Sequence, residues 1–352
     1  MKRLEVKQLD ISYGKKQIVF DLDFSLEESQ IGCLLGPSGC GKTTALRAIA
    51  GFEKPTKGEI VLNGQKLNGS KTFVEPEKRH IGMVFQDIAL FPHLSVVDNL
   101  QFGIRSWPRP QRDKRSGELL ELVSMSQFEK TFPHELSGGQ QQRIALARAI
   151  APKPSLLLMD EPFSSLDVEL REQLAREVRL ILKQEKMSAI LVTHDQDEAF
   201  AMGDYICVMH QGRVQQTDTA YNLYHNPANR FVGEFIGEGA LLPGVIADTD
   251  TITTDLGEIT GHLMESFKHG DIVDVLIRPE NVIVAGSNDN QAVITARYFR
   301  GSGYLYTLKT SGGAELLCLI PGSGGLQIDQ SIGVRLQIDL PVVFKRPSPG
   351  TF

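Results

Sequence analysis

One short segment constrains the fold of this chain more than any other. Residues 36–43 read GPSGCGKT, which matches G-x-x-x-x-G-K-[ST], and they follow a continuous apolar run at Ile31–Leu35 that predicts a buried strand. A helix is predicted to begin at Lys42. The glycines let backbone N–H groups approach phosphate oxygens, and the helix presents the positive end of its dipole. The sequence therefore predicts a phosphate-binding loop between a strand and a helix.

Two side chains of this loop have predicted roles. Lys42 is expected to reach the β and γ phosphates of a nucleotide, and the Thr43 hydroxyl is expected to bind magnesium. The nucleotide-contacting residues expected in this segment and directly after it are Gly36, Ser38, Gly39, Cys40, Gly41, Lys42, Thr43 and Thr44. The motif alone indicates a P-loop NTPase, and a glycine turn without a ligand is the alternative. Cys40 lies inside the loop, so its alkylation would sterically block nucleotide binding. The alternative is that Cys40 is an inert small residue.

Composition limits the remaining possibilities. At 352 residues the chain is long enough for two domains. A net charge of -6 argues against broad binding to nucleic acid or anionic lipid, so no nucleic-acid partner is expected. No apolar run reaches the roughly 20 residues that span a bilayer, and the N-terminus lacks signal-peptide features, so the chain is expected to stay in the cytosol. The four scattered cysteines are expected to be reduced.

The pattern of apolar runs predicts an α/β domain over residues 1–240. Short apolar runs alternate with helical stretches, which is typical of a parallel sheet, and buried strands are predicted at 31–35, 155–159 and 189–192. The strand pattern lapses in the middle of this domain. A helical subdomain is therefore predicted at about 88–152, although the basic run at 109–115 is interpreted as a solvated loop.

From residue 241 the sequence pattern changes to short segments in which residues alternate with a period of two. Tyr304, Tyr306 and Leu308 alternate with other residues before a predicted hairpin turn at 311–313, and a second alternation covers 334–340. Residues 241–352 are therefore predicted to form a smaller all-β unit of OB-like barrels with a regulatory role.

A second glycine-rich segment and two strand ends accompany the phosphate loop. Residues 136–140 read LSGGQ before a predicted helix, which would make a second anion site at a helix N-terminus. Asp160 and Glu161 lie directly after the second predicted strand, at its carboxyl end, and His194 follows the third. Ligands of open parallel sheets bind beyond such carboxyl ends.

Together these segments resemble the ABC ATPase family, whose signature is LSGGQ. The resemblance implies a homodimer in which the signature of one subunit completes the ATP site of the other. It implies catalytic roles for Glu161 as general base, His194 as γ-phosphate switch and Gln86 as sensor. The implied magnesium ligands are Thr43, Gln86 and Asp160. The further nucleotide contacts that it implies are Tyr13, Ser137, Gly138, Gly139, Gln140 and Asp167.

Plainer interpretations of these residues remain open. The carboxylate pair at 160–161 could cap a turn, and His194 could be structural. Tyr13 could be a core residue rather than a ring stacked on adenine, and Gln86 could be an ordinary polar loop residue. Asp167 could cap the helix predicted at 168–183, either instead of or together with a role at the dimer interface.

The C-terminal unit narrows the resemblance to importers. With Ile277-Arg278-Pro279-Glu280 it looks like the transport-associated OB-type domain of importer ATPases, and overall similarity is greatest to those for ferric ion. The implied partners are an integral-membrane permease, docked near residues 88–93 at the cytoplasmic face of the plasma membrane, and indirectly a solute-binding protein. The implied cofactors are ATP and Mg²⁺.

Other functions remain as alternatives. The same role in a polyamine, sulfate or sugar importer is the nearest one. A soluble ABC ATPase that acts on DNA or ribosomes would carry coiled-coil insertions or two nucleotide cassettes, and an exporter would not carry the C-terminal β unit. A catalytically dead scaffold would lack Glu161, His194, Lys42 or LSGGQ.

Overall fold

The computed structural model describes residues 2–69, 72–263, 267–286, 290–322 and 325–346. The chain forms two compact units, which divide after Ala220. The strands of the first unit are β1 (Lys2–Tyr13), β2 (Lys16–Glu27), β3 (Ile31–Leu35), β4 (Lys57–Leu62), β5 (Gln65–Gly69), β6 (Thr72–Phe73), β7 (Ile81–Val84), β8 (Leu156–Asp160), β9 (Ala189–Thr193), β10 (Tyr205–His210) and β11 (Arg213–Asp218). Its helices are α1 (Lys42–Ala50), α2 (Val96–Phe102), α3 (Arg109–Leu122), α4 (Gly138–Ile150), α5 (Val168–Gln184) and α6 (Gln196–Met202).

The first unit contains two sheets. One is antiparallel with the order β2-β1-β4-β5-β6, and the sequence did not predict it. The other has the order β11-β10-β3-β9-β8-β7 and is parallel except for its edge strand β11. Every residue of β3, β8 and β9 is buried, as expected for strands covered on both faces. The predicted parallel sheet is confirmed.

Helix α1 is held between the two sheets. Its apolar residues Ala45, Leu46, Ala48 and Ile49 share one core with strands from both. At its C-terminal end, the buried Arg79 donates hydrogen bonds to the carbonyl oxygens of Ala48 and Ile49, both at 2.8 Å. The Ala48 carbonyl also accepts a hydrogen bond from the Gly51 N–H at 3.2 Å. The guanidinium thus adds charged donors at a helix end where the last carbonyls lack intrahelical partners.

The predicted helical insertion lies between the neighbouring strands β7 and β8, where the chain forms α2, α3 and α4. One interpretation of this region is wrong: the basic run at 109–115 is the start of α3 and not a solvated loop. Arg115 is buried there, and its Nη2 lies 2.8 Å from Glu185 Oε2. A partner 70 residues away along the chain explains the burial of this charge, since buried charges require a partner.

The second unit begins with α7 (Ala220–His225), which spans the division, and α8 (Arg230–Phe235). Its strands are β12 (Ala240–Asp248), β13 (Thr251–Thr254), β14 (Gly257–Thr260), β15 (Ile272–Ile277), β16 (Val282–Ala285), β17 (Asn290–Phe299), β18 (Gly303–Thr310), β19 (Glu315–Pro321), β20 (Ser331–Leu336) and β21 (Val342–Lys345). They form two sheets, β14-β13-β12-β15-β21 and β16-β20-β17-β18-β19, around one apolar core.

The predicted β pattern of this unit is largely present. Strands β18 and β19 form a hairpin whose turn contains residues 311–313, as predicted. The alternation at 334–340, however, is only partly a strand, because β20 ends at Leu336. Leu336 pairs with Val282, the first residue of β16, so no neighbouring residue of that strand is available beyond it.

The two units divide after Ala220, which is earlier than the domain boundary that the sequence pattern predicted at residue 240. The reason is the buried guanidinium of Arg278, which follows β15. It donates hydrogen bonds to the carbonyl oxygens of Tyr224 at 3.0 Å, Gly233 at 3.2 Å and Glu238 at 3.2 Å. Its carbon also lies 4.1 Å from the centre of the Tyr224 ring. Arg278 therefore fastens α7, α8 and the segment after them to the second unit.

Candidate nucleotide site

The phosphate loop follows β3 and leads into α1, as its sequence predicts. Gly36 lies where a Cβ atom would be 2.2 Å from the carbonyl oxygen of Met209, so only glycine fits. Gly41 is the N-cap of α1 with φ of 102°, in the left-handed region that favours glycine, and no side chain caps this helix end. Ser38 and Gly39 are exposed at the tip of the loop. The N-terminus of α1 therefore presents backbone donors suited to an anion.

Lys42 lies under this loop. Its side chain is buried, and Nζ donates hydrogen bonds to the carbonyl oxygens of Gly36 at 2.7 Å and Pro37 at 3.0 Å. Cys40 is buried beside it, with Sγ 3.8 Å from Nζ. Burial raises the pKa of the Cys40 thiol, although the Lys42 charge opposes the shift. A buried and protonated thiol favours the interpretation of Cys40 as an inert small residue.

The loop contacts the end of the neighbouring strand β8. Thr43 Oγ1 donates a hydrogen bond to Asp160 Oδ1 at 2.9 Å. Burial raises the pKa of Asp160, and the hydrogen bond from Thr43 partly offsets this effect. A hydroxyl and a buried carboxylate are oxygen ligands of the kind that Mg²⁺ prefers, and a cation would relieve the cost of burying the carboxylate. The residues present therefore fit a magnesium ion.

Glu161 and His194 meet at the ends of β8 and β9. Glu161 Oε2 lies 3.2 Å from His194 Nδ1. The backbone N–H of Glu161 donates to the carbonyl oxygen of Val192 at 2.9 Å, and Glu161 adopts a φ of 45°, which is uncommon for a residue other than glycine. Strained backbone of this kind is concentrated at functional sites. Neither side chain is buried in the core, so His194 is not a structural core histidine.

The signature segment 136–140 caps its own helix. Ser137 Oγ accepts a hydrogen bond from the Gln140 N–H at 3.4 Å, and Gln140 Oε1 accepts one from the Ser137 N–H at 2.9 Å. This reciprocal pair is a capping box at the start of α4. Asp167 likewise caps α5, because its Oδ1 accepts from the Leu170 N–H at 3.0 Å. Asp167 therefore has the capping role that the sequence left open as an alternative to, or together with, a role at the dimer interface.

The structure brings some of the predicted residues together and leaves others apart. Thr43 meets Asp160, and Glu161 meets His194. Within the described part of the chain, no hydrogen bond or ion pair joins residues 136–140 to residues 36–44.

Tyr13 and Gln86 lie at the exposed margin of the site. Tyr13 ends β1 and is 47% exposed, so it is not a core residue. The pKa of its hydroxyl is raised, first by burial and then by a hydrogen bond with Glu53, while a hydrogen bond with Thr44 in the first turn of α1 opposes the shift. Gln86 follows β7 and is exposed.

Sequence reasoning missed one group of residues beside the site. Arg171, on α5, lies 3.0 Å from Asp195 Oδ2 through Nη1, and 3.5 Å from Glu198 Oε1 through Nε. Glu198 is 3% exposed, and burial raises its pKa. The only sequence signal was a charged residue, Glu198, on an otherwise apolar face of α6 whose other buried members are Ala199 and Met202.

A phosphate loop, carboxylates at the ends of parallel strands and a capped LSGGQ helix define the ABC class of P-loop ATPases. The family comparison agrees: the ABC transporter model matches residues 19–164, and the TOBE domain model matches residues 275–344.

Individual relatives are similar to this chain along most of its length. The spermidine/putrescine import ATP-binding protein PotA of Rubrobacter xylanophilus is 41% identical over 87% of this chain and 83% of its own length. The Fe(3+) ions import ATP-binding protein FbpC 2 of Haemophilus influenzae is 40% identical over 83% of this chain and 82% of its own length. The structure of cbiO1 from Clostridium perfringens, part of the ABC transporter complex cbiONQ, has a TM-score of 0.58 at 26% identity and covers 62% of this chain and 88% of that one.

The chain belongs to the ABC transporter family, in the group of import ATP-binding subunits that carry a C-terminal TOBE domain. It is an ATPase. In the part of the chain that the structure describes, no helix is both long and apolar enough to cross a membrane.

Proposed function

We propose that this chain hydrolyses Mg²⁺-ATP as a homodimer and thereby powers solute import through a membrane permease at the cytoplasmic face of the plasma membrane. The observation that carries the proposal is the contact between Glu161 and His194 beside the Thr43–Asp160 pair. It gathers a candidate base, a switch side chain and oxygen ligands at the ends of neighbouring strands. The N-terminus of the signature helix supports the dimer, since it offers a second helix end suited to an anion, which a second copy would present to the phosphates.

Each residue then has a distinct task. The N-terminus of α1 and Lys42 hold the phosphates, and the exposed ring of Tyr13 supports the base by stacking. Glu161 accepts a proton from the attacking water, and His194, held by Glu161, contacts the terminal phosphate. Thr43, Asp160 and Gln86 would hold magnesium, which supplies neutralisation of phosphate charge when bound. Ser137, Gly138 and Gly139 of the second copy close over the phosphate, and Asp167 and Gln140 lie at that interface.

The base is tested by Glu161→Gln, which keeps the shape of the side chain but removes its basicity. Turnover is expected to fall by about 100-fold or more, whereas ATP affinity persists and ATP-bound dimers accumulate. The measurements are steady-state ATPase rates and size-exclusion chromatography with ATP. Glu172→Gln is the control, because Glu172 is an exposed residue paired with Arg176 on α5. Undiminished hydrolysis in Glu161→Gln would remove Glu161 from the role of base.

We propose that the imported solute is cationic, with a polyamine or ferric ion as the two candidates. The sequence resemblance favoured ferric ion, but relatives named for spermidine/putrescine and for Fe(3+) match at nearly equal identity. The solute need not touch this subunit. The solute is therefore identified through the partner proteins that this chain recruits.

The partners are tested by purifying the tagged chain from gently solubilised membranes and identifying what accompanies it. A polytopic permease and a solute-binding protein are expected, and the binding protein is then titrated with spermidine, putrescine, Fe³⁺, sulfate and maltose. Tight binding of sulfate or a sugar would overturn the cationic solute. Recovery with ribosomes or DNA-processing proteins and no permease would overturn the transport proposal itself.

A further inference from the structure

One guanidinium connects the two loops that flank the candidate catalytic pair. On one side, Arg171 Nη2 donates a hydrogen bond to the carbonyl oxygen of Leu166 at 3.1 Å. On the other side, its Nη1 donates to Asp195 Oδ2 at 3.0 Å. Leu166 directly precedes Asp167, and Asp195 directly follows His194. Arg171 therefore bridges the segment before α5 and the loop that carries His194.

The carboxylates that Arg171 contacts fix the backbone on both sides of His194. Asp195 Oδ1 accepts hydrogen bonds from the N–H groups of Asp197 at 2.9 Å and Glu198 at 3.1 Å. The Asp195 N–H donates to Thr193 Oγ1 at 3.0 Å, and Thr193 Oγ1 donates to Glu198 Oε2 at 2.6 Å. Residues 193 and 195 thus belong to one hydrogen-bonded ring, and His194 lies between them.

The ring depends on a nearby positive charge. The buried carboxylate of Glu198 is costly unless a cation accompanies it, and Arg171 Nε lies 3.5 Å from its Oε1. Without the guanidinium, Asp195 and Glu198 would face each other as like charges. The His194 loop would then be free to rearrange.

We propose that Arg171 is a positioning residue for ATP hydrolysis, which holds the His194 loop in register with the Leu166–Asp167 segment. This inference rests on the proposed function, in which His194 contacts the terminal phosphate and Asp167 lies at the interface between copies. When the second copy shifts the Leu166–Asp167 segment, the guanidinium transmits the shift to His194. ATP bound without a correctly placed second copy then meets a displaced His194.

The chain offers a matched control on the same helix. Arg179 lies two turns beyond Arg171 on α5, and it also donates to one carboxylate, Asp204 Oδ1 at 2.6 Å, and to one backbone carbonyl, that of Met202. The two side chains are similarly shielded, with 20% and 31% exposed. Met202 and Asp204, however, lie at the opposite end of α6 from His194. Arg179 thus makes the same two kinds of hydrogen bond as Arg171, but it is not connected to the site.

The experiment compares Arg171→Ala with Arg179→Ala in the purified full-length chain. Both variants are expected to lose thermal stability, Arg171→Ala the more, because Asp204 keeps its pairing with Lys183 whereas buried Glu198 loses its cation. In Arg171→Ala, kcat should fall about tenfold or more while ATP affinity changes by less than about threefold, because displaced catalytic groups slow the reaction without removing phosphate contacts. Arg179→Ala should keep kcat within about twofold of the wild type. A kcat in Arg171→Ala as high as in Arg179→Ala would overturn the proposal.

Conservative variants and one double variant complete the test. Arg171→Lys keeps the charge but cannot make the same forked contacts, so its kcat should lie between those of the wild type and Arg171→Ala. If either alanine variant does not fold, the Arg171→Lys and Arg179→Lys pair replaces it, with the same expected order.

Adding Arg171→Ala to His194→Ala should cause no further loss of kcat. If His194→Ala alone retains full turnover, the proposed role of His194 is wrong, whereas a low His194→Ala rate with an unaffected Arg171→Ala rate overturns only the role of Arg171.

Discussion

The N-termini of α1 and α4 follow glycine-rich segments of similar appearance, yet they are built in opposite ways. At α1 the N-cap is Gly41 in the left-handed region, and no side chain caps the helix. At α4 the N-cap is Ser137 with extended backbone, and it forms a capping box with Gln140. The first helix end leaves its donors to a ligand, whereas the second satisfies part of its own first turn. A glycine-rich helix start therefore does not by itself define one kind of anion site.

The difference extends to how each helix is supported. The open N-terminus of α1 is balanced by a closed C-terminus, where Arg79 satisfies the carbonyls of Ala48 and Ile49. Helix α1 thus obtains its stability from its far end and from the core around it. Helix α4 is stabilised at the end that is proposed to meet the second copy. It is consequently ready to bind before any partner arrives.

The largest expected effect comes from removing the support at the far end of α1. Arg79→Ala should lower the free energy of unfolding of the first unit by about 3 kcal/mol, because buried carbonyls lose charged donors and a cavity remains. Chemical denaturation can be followed by fluorescence of Trp107, the single tryptophan, which lies in the first unit. Lys78→Ala, at an exposed neighbour, is the control. An unchanged midpoint in Arg79→Ala would show that α1 does not depend on this cap.

The next effect distinguishes the two glycine-rich starts directly. Gly41→Ala should weaken ATP binding at least about tenfold, since a left-handed conformation costs an ordinary residue roughly 1–2 kcal/mol. The new Cβ would also lie 3.1 Å from Val19 Cγ2 and 3.2 Å from the Ile18 carbonyl oxygen. Gly138→Ala has ordinary backbone and one side-chain neighbour, Leu166 Cδ2 at 3.3 Å, so binding to the single chain should be unchanged. Titration with a fluorescent ATP analogue measures both, and equal losses would erase the proposed distinction.

A smaller effect separates stability from turnover at α4. Ser137→Ala should cost about 1 kcal/mol of stability through loss of the cap. Ser137→Asp should retain the cap and the stability, but its carboxylate would repel a phosphate of the second copy and reduce ATPase activity. Denaturation and steady-state rates are measured on the same samples. If Ser137→Asp hydrolyses ATP normally, this helix end does not face phosphate in the dimer.

The smallest expected effect concerns the thiol inside the phosphate loop. Burial raises the pKa values of Cys40, Cys207 and Cys318, to about 12 for Cys207 and about 11 for Cys318. A raised pKa keeps a thiol protonated up to a higher pH, so the reactive thiolate is scarce at pH 7.5. The native chain should react slowly with a thiol reagent such as DTNB, and all four cysteines should react after denaturation. A fast native reaction that ATP suppresses would show that Cys40 is accessible.

The sequence predicted those parts of the fold and site that depend on local pattern. The phosphate loop, the buried parallel strands and the start of α4 were all recognisable, because each is defined by neighbours within a few residues. The end of β8 was placed one residue early, at 159, and the structure includes Asp160 in the strand. The hairpin of β18 and β19 was predicted from its turn and alternation.

The parts that could not be predicted depend on partners distant along the chain. The burial of Arg115 requires Glu185, and the bridge made by Arg171 requires Asp195. The antiparallel sheet of β1, β2 and β4–β6 was missed because its strands have irregular register, with bulges that interrupt the alternation. The division after Ala220 was missed because Arg278 gathers carbonyls that lie up to 54 residues before it. Charge and hydropathy patterns along the chain carry little information about such contacts.

The three carbonyls held by Arg278 also have a practical consequence for protein engineering. A chimera that exchanges the C-terminal regions of two related subunits at residue 240 would separate this arginine from the residues that it fastens. Both halves of such a hybrid would carry mismatched surfaces, even with every strand of the donor intact. A junction just after Ala220 transfers the arginine together with all of its acceptors, and is therefore the natural cut for building hybrid importers.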